Sequence, residues 1–125
     1  MSVLTIADRD DVVVVGFTHS RILDETAIRA IAEEFSGLTL QAASGRKLLL
    51  DFSRVEFMSS AMIGQIMKLH KQCQNDKTKL KLCNISPKIM EVFTITRLDK
   101  VLDIQSDEAA ALESFGGAKR GWFNR

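Results

Sequence analysis

The seventeen residues from Leu48 to Gly64, LLLDFSRVEFMSSAMIG, constrain the fold more than any other part of the chain. Leu48, Leu49 and Leu50 form an apolar run too short for a helix and suited to a strand covered on both faces. The Ser59-Ser60 pair then opens a helical pattern. The segment reads strand, turn, helix, and sets a hydroxyl at a helix N-terminus. Free backbone N–H groups and the positive end of the helix dipole stabilise negative charge there, so a phosphate on that hydroxyl would have local partners.

The remaining pattern extends this unit into a layer. Residues 2–7 and 11–17 are β-rich and separated by the polar Asp8-Arg9-Asp10, which predicts an antiparallel hairpin. From Asp24, Ile28, Ile31, Phe35 and Leu38 recur at helical spacing, giving a first helix expected to end at Gly37. Ser44-Gly45 leads into a strand over 46–52, and the second helix runs from Ser60 to Gln74 before the Asn75-Asp76-Lys77 break. A strand follows over 78–84. Ser86 beside Pro87 places a cap next to a proline at the first helical position and predicts a third helix over 87–95. A short strand over 102–104 comes last. Ser106-Asp107-Glu108 caps a fourth helix, closed by Gly116-Gly117. The expected fold is α/β: a mixed, mainly parallel sheet with an N-terminal antiparallel hairpin and about four helices.

The chain of 125 residues has room for one domain, and 17 basic against 16 acidic side chains call for neither nucleic acid nor an anionic membrane as partner. Met1 leads straight into the alternating Val3-Leu4-Thr5-Ile6 without a basic leader or a long apolar span, so a cytoplasmic protein is expected. Cys73 and Cys83 lack the spacing of zinc or redox sites and are expected to be buried thiols on a helix and a strand.

Catalysis needs converging acid, base or nucleophile groups. His19 and His70 are the only histidines, and neither stands in a local motif with Cys, Ser or carboxylate. No glycine-rich phosphate loop occurs, and no metal set or cofactor is expected. Asp51 ends a strand and is assigned to holding the following turn. Lys77, Lys79 and Lys81 would share one face of a strand, where they read as protection of an exposed edge, since no aromatic interleaves them for base stacking.

The Asp51 to Gly64 segment resembles the STAS domain of bacterial anti-sigma factor antagonists, whose diagnostic run is strand-Asp, a short hydrophobic turn, then Asp-Ser-Ser/Thr-Gly-Leu-Gly. Ile85-Ser86-Pro87, Phe93, Leu98 and Val101-Leu102 resemble the third helix and following strand of that family, and Leu23-Asp24 with Thr26-Ala27 its first helix start. The resemblance runs from about Val3 to Phe115, giving a domain over 1–115 and a tail over 116–125. It puts Ser60 at the family's phosphorylated position and Ser59 where Asp is usual, while Ala61 and Met62 replace the following Ser and Gly. Ser59 can still cap the helix. Met62 brings bulk to a glycine position where a kinase would dock.

Along the second helix, Met62, Ile63, Ile66, Leu69 and Cys73 form the expected core face. Ser60, Gly64, Met67 and Lys71 stack along another stripe, where an exposed methionine beside a glycine offers a packing site. With Ser59 they make the expected partner surface. The resemblance implies a non-catalytic monomer that binds an anti-sigma factor, often a serine kinase, and is released by phosphorylation at Ser60, with Ser59 as alternate acceptor. Two other classes fit the same residues: a domain binding a nucleotide or small anion at the helix start, and a scaffold subunit of a stress-signalling assembly. The tail carries Trp122 and Phe123 beside three basic residues and lies outside the resemblance.

Overall fold

A computed structural model describes residues 3–9, 11–41 and 47–115. Strands β1 (Leu4–Arg9), β2 (Val12–Phe17), β4 (Lys47–Asp51), β6 (Lys79–Cys83) and β7 (Ile104–Gln105) form one sheet in the order β1-β2-β4-β6-β7. β1 pairs antiparallel with β2, and every other pair in this sheet is parallel. The predicted α/β layer with its hairpin is therefore present, although Asp10 in the hairpin turn lies outside the described residues.

Alternation along the strands divides the apolar side chains between two faces. Val13, Val15 and Phe17 join Leu48, Leu50 and Leu82 on the thick side. Three helices cover that side: α1 (Glu25–Gln41) through Ile28, Ile31, Phe35 and Leu38, α2 (Ser60–Asn75) through Met62, Ile66, Leu69 and Cys73, and α3 (Pro87–Ile95) through Ile89 and Phe93. On the thin side Val12, Val14, Leu49 and Cys83 meet Ala111 of α4 (Glu108–Ser114) and Phe115 beyond it. Leu48, Leu49 and Leu50 are all fully buried, as a central strand covered on both faces requires. Phe17 stacks on Phe52 at 4.9 Å between centroids and meets Phe35 edge-on at 6.2 Å, filling the end of the thick layer beneath the turn after β4.

Several boundaries depart from the sequence expectations. α1 runs through Gly37 to Gln41, because burial of Leu38 carries the helix past a glycine that only weakens it. α4 is capped by Asp107, which accepts from the Ala110 amide at 2.8 Å, and not by Ser106. The last strand is Ile104–Gln105, since Leu102 turns into the core first. Residues Ser44, Gly45, Gly116, Gly117 and the tail lie outside the described residues. Two elements escaped notice: β3 (Arg21–Ile22) and β5 (Phe57–Met58) form a separate parallel pair, with two residues each and hence no periodicity to read. A 3-10 turn at Leu98–Lys100 follows α3.

The lysines sit at an edge in part. β6 lies between β4 and β7, but β7 pairs only with Leu82 and Cys83, so among the described residues Lys79 to Lys81 have no strand partner on that side. Lys77 precedes it in a left-handed turn conformation, with φ 57°. Lys81, with 13% of its side chain exposed, pairs with Asp103 at 2.5 Å and stands 5.2 Å from the Phe115 ring centroid. It ties the β6–β7 edge to the C-terminal helix. Burial alone would raise the Asp103 carboxyl, but hydrogen bonds from Lys81 and Gln105 outweigh it and hold the group below the ordinary aspartate value.

Candidate functional site

The start of α2 is built from below by the segment after β4. Asp51 accepts from the Ser53 amide at 3.0 Å and from Asn84 Nδ2 at 2.9 Å, so one carboxylate braces both this turn and the turn leading to α3. The Asn84 backbone has φ 59°, a conformation asparagine tolerates better than most residues. The chain then passes through β5, and the Ser59 amide donates to the Ile22 carbonyl at 3.0 Å. That bond locks the helix start to the segment before α1, where Leu23 stands 48% exposed.

Ser59 is the N-cap, extended at φ −81° and ψ 168°, and its Oγ accepts from the Met62 amide at 3.4 Å. Ser60 is the first helical residue and is exposed. The two adjacent serines thus have different environments: one hydroxyl faces the helix amides, and the other residue faces solvent. α2 has no acidic residue in its first turn, so the positive end of its dipole is uncompensated there.

Met62 is fully buried in the thick core. Its bulk is spent on packing and does not project toward a docking protein, contrary to the expectation from its glycine position. Gly64 is exposed, and a Cβ built on it would meet nothing within 4 Å, so no packing inside the chain requires glycine there. Met67 is half-buried and packs against the core margin, which corrects the expected exposed methionine. The stripe is therefore open at Ser60, Gly64 and Lys71 and partly closed at Met67.

Between β5 and the start of α3 lies a cleft of about 480 Å³ lined by Glu56, Phe57, Ser86, Pro87 and Lys88. The Arg21 guanidinium lies 4.7 Å and the Lys88 ammonium 4.8 Å from the Phe57 ring centroid. Sequence reasoning missed this arrangement, because Arg21 and Phe57 meet only through the two-residue β3–β5 pairing. The one signal was Lys88, a cation in the first turn of a helix with no acid to offset it.

Among the described residues no cluster of His, Cys, Asp and Glu could hold a metal ion, and no helix is long and apolar enough to cross a membrane. His19 is exposed, with Nδ1 3.3 Å from Thr18 Oγ1, and His70 is half-buried on α2. Burial, with the charge of Asp76, pushes the Cys73 thiol up to about 11. Burial, with Asp51 and other carboxylates, pushes Cys83 up to about 12. Both thiols are buried, on opposite faces of the sheet, and stay protonated near neutral pH.

The sequence and the fold both have relatives. Residues 35–111 match the family model of the STAS domain. BtrV of Bordetella bronchiseptica, assigned as an anti-sigma factor antagonist, is 29% identical over 70 residues, a match spanning 56% of this chain and 60% of that relative's length. The structure of an anti-sigma factor antagonist (STAS) domain protein from Planctomyces limnophilus is 29% identical, with a TM-score of 0.81 over 90% of this chain and 97% of that one. The Bacillus cell fate determinant SpoIIAA in its phosphorylated form shares the fold at 20% identity, with a TM-score of 0.66 over 89% of this chain and 98% of its own. The chain belongs to the STAS domain family, and these relatives are anti-sigma factor antagonists.

Proposed function

We propose that this protein is a non-catalytic regulatory module that binds an anti-sigma factor through the start of α2 and is released from it by phosphorylation of Ser60. The observation that carries the proposal is the division of labour between the two serines. Ser59 holds the helix cap, which leaves Ser60 exposed at the first helical position and dispensable to the fold. A phosphate at Ser60 would add nearly two negative charges beside free N–H groups and an uncompensated dipole end, so the domain tolerates it. A partner surface shaped for a neutral hydroxyl does not, because desolvation and repulsion fall on the bound state alone.

The partner surface comprises Ser59, Ser60, Gly64, Met67 and Lys71, with Leu23 added by the bond between Ser59 and Ile22. Gly64 fits it best. An exposed helical glycine with open space around it costs helix stability and admits the close approach of another backbone. The proposal places this function in residues 1–115 of a cytoplasmic monomer, with residues 116–125 outside it and a serine kinase as the modifying enzyme.

Affinity capture from source cells, with the retained proteins identified by mass spectrometry, tests the partner. Recovery of an anti-sigma factor by the wild-type protein and by Ser60→Ala, but not by Ser60→Asp, is the expected result. Phosphate mapped only to Ser59, or a Ser60→Asp protein that binds like wild type, would refute the switch. Stabilisation by a nucleotide without any captured anti-sigma factor would favour a ligand-sensing domain.

A further inference from the structure

We propose that the Arg21–Phe57–Lys88 cleft, together with Val92 and Ile95 on the outer face of α3, is a docking surface for an amphipathic acidic segment of a partner protein. The proposal rests on the partner-binding reading above and names the chemistry of a second contact. Lys88, Val92 and Ile95 follow one another at spacings of four and three residues, so they form one stripe of α3 that begins at the cleft. Val92 is 40% exposed, and Ile95, at 79%, is the most exposed large apolar side chain among the described residues.

The charges specify the occupant. Among the described residues neither Arg21 nor Lys88 forms a salt bridge, and each is held instead over the Phe57 ring. A ring contact fixes the position of a cation without satisfying its N–H donors, of which guanidinium has five. Lys88 also opposes the dipole of its own helix, whose first turn carries no acid. The ring contact and the dipole thus pull against each other, and among the described residues no salt bridge offsets the charge. An incoming carboxylate would meet Arg21, Lys88 and the helix start together, while its apolar neighbours covered Val92 and Ile95. This is the geometry of a helix laid on a surface with anchors one turn apart. Glu56 at the cleft rim supplies the opposing charge that fixes register, since an acid placed against it would be repelled.

Two synthetic helical peptides of about four turns, with the same leucine stripe flanked by glutamates in one and by lysines in the other, test the surface on the isotope-labelled full chain. The acidic peptide should shift the amide resonances of Phe57, Lys88, Val92 and Ile95 and bind at least about tenfold more tightly than its lysine counterpart. The double variant Arg21→Glu with Lys88→Glu should lose that binding while the chain stays folded, its melting temperature lowered by no more than about 8 °C. Equal binding of both peptides, no shift at these four amides, or the same shifts produced by a single-stranded oligonucleotide in place of the acidic peptide would overturn the proposal. An anti-sigma factor captured equally well by wild type and by Lys88→Glu, yet lost with Ser60→Asp, would overturn this inference alone. Failure to capture any anti-sigma factor would instead remove the reading it rests on.

Discussion

α2 and α3 begin alike and differ in what they expose. Each follows the turn after a parallel strand, each has a serine N-cap in an extended conformation, and each cap oxygen accepts from the amide three residues on at 3.4 Å. In each that third residue is a buried anchor, Met62 at 0% and Ile89 at 4% exposure. Neither first turn contains an acid. They part at the two positions between cap and anchor: Ser60-Ala61 in α2, Pro87-Lys88 in α3. The first pair leaves a modifiable hydroxyl at an open dipole end, suited to an anion that arrives covalently. The second has no hydroxyl and a cation already in place, suited to an anion carried by another molecule. One scaffold, bolted to the core at the same depth, presents opposite chemistry through two exposed residues.

If the anchors are equivalent, truncating either should be the most damaging change at these starts. Met62→Ala and Ile89→Ala are each expected to cost about 2–5 kcal/mol in urea unfolding, from lost transfer energy and the cavity left behind. A Met62→Ala protein within about 0.5 kcal/mol of wild type would show that α2 is not held from below as α3 is. Removing the caps probes the next layer. Ser86→Ala should lose about 1 kcal/mol, because it orphans the Ile89 amide, and Ser59→Ala up to as much, because it removes the side-chain acceptor of the Met62 amide. A loss at Ser86 with none at Ser59 would mean that the backbone bonds from Met62 and Ile63 to the Ser59 carbonyl already suffice.

Much of this was legible in the sequence, for physical reasons that differ by element. The β4–α2 unit announced itself because a strand buried on both faces must be a continuous apolar run, and Leu48 to Leu50 is one. The start of α3 was readable because Ser86 supplies a capping oxygen and Pro87 a preset φ at the first helical position. The end of α1 was misjudged at Gly37, where tertiary burial of Leu38 overrode local propensity. At the site, Ser59 and Ser60 could be told apart through the resemblance, which sets Ser60 at the acceptor position and Ser59 at the usual Asp position, where its hydroxyl can cap. The exposure of Met67 could not, since the margin of a helix face depends on what lies beside it. The Arg21–Phe57–Lys88 group was illegible because three separate segments meet there through pairings of two residues.

Gly64 separates stability from binding on α2. Gly64→Ala should stabilise the domain by about 0.8–1 kcal/mol, since alanine is the better helix former and its Cβ enters open space. If Gly64 belongs to the proposed partner surface, partner binding should weaken, because the added methyl would occupy the open space that surface offers. Unchanged stability and unchanged binding together would deprive the glycine of both roles.

Charge is the smallest effect and the sharpest discriminator between the two starts. Ser60→Asp adds one negative charge at an uncompensated dipole end and should raise stability by about 0.3–1 kcal/mol at low salt. Lys88→Glu changes the charge at its helix start by two units in the same favourable direction, yet it also gives up the contact with the Phe57 ring, worth about 0.5–1 kcal/mol at an exposed site. The two terms nearly offset, so the net gain should be no larger than at Ser60 despite the larger change in charge. Lys88→Gln tests that division: it removes the opposing cation without adding an acid, and should leave stability within about 0.5 kcal/mol of wild type. Thermal unfolding in low salt and again near 1 M, where screening shortens the Debye length to about 3 Å, isolates the dipole part of each difference. A Lys88→Glu gain well above that of Ser60→Asp would show that the lysine was poorly held by the ring, and the two helix starts would then differ in charge alone.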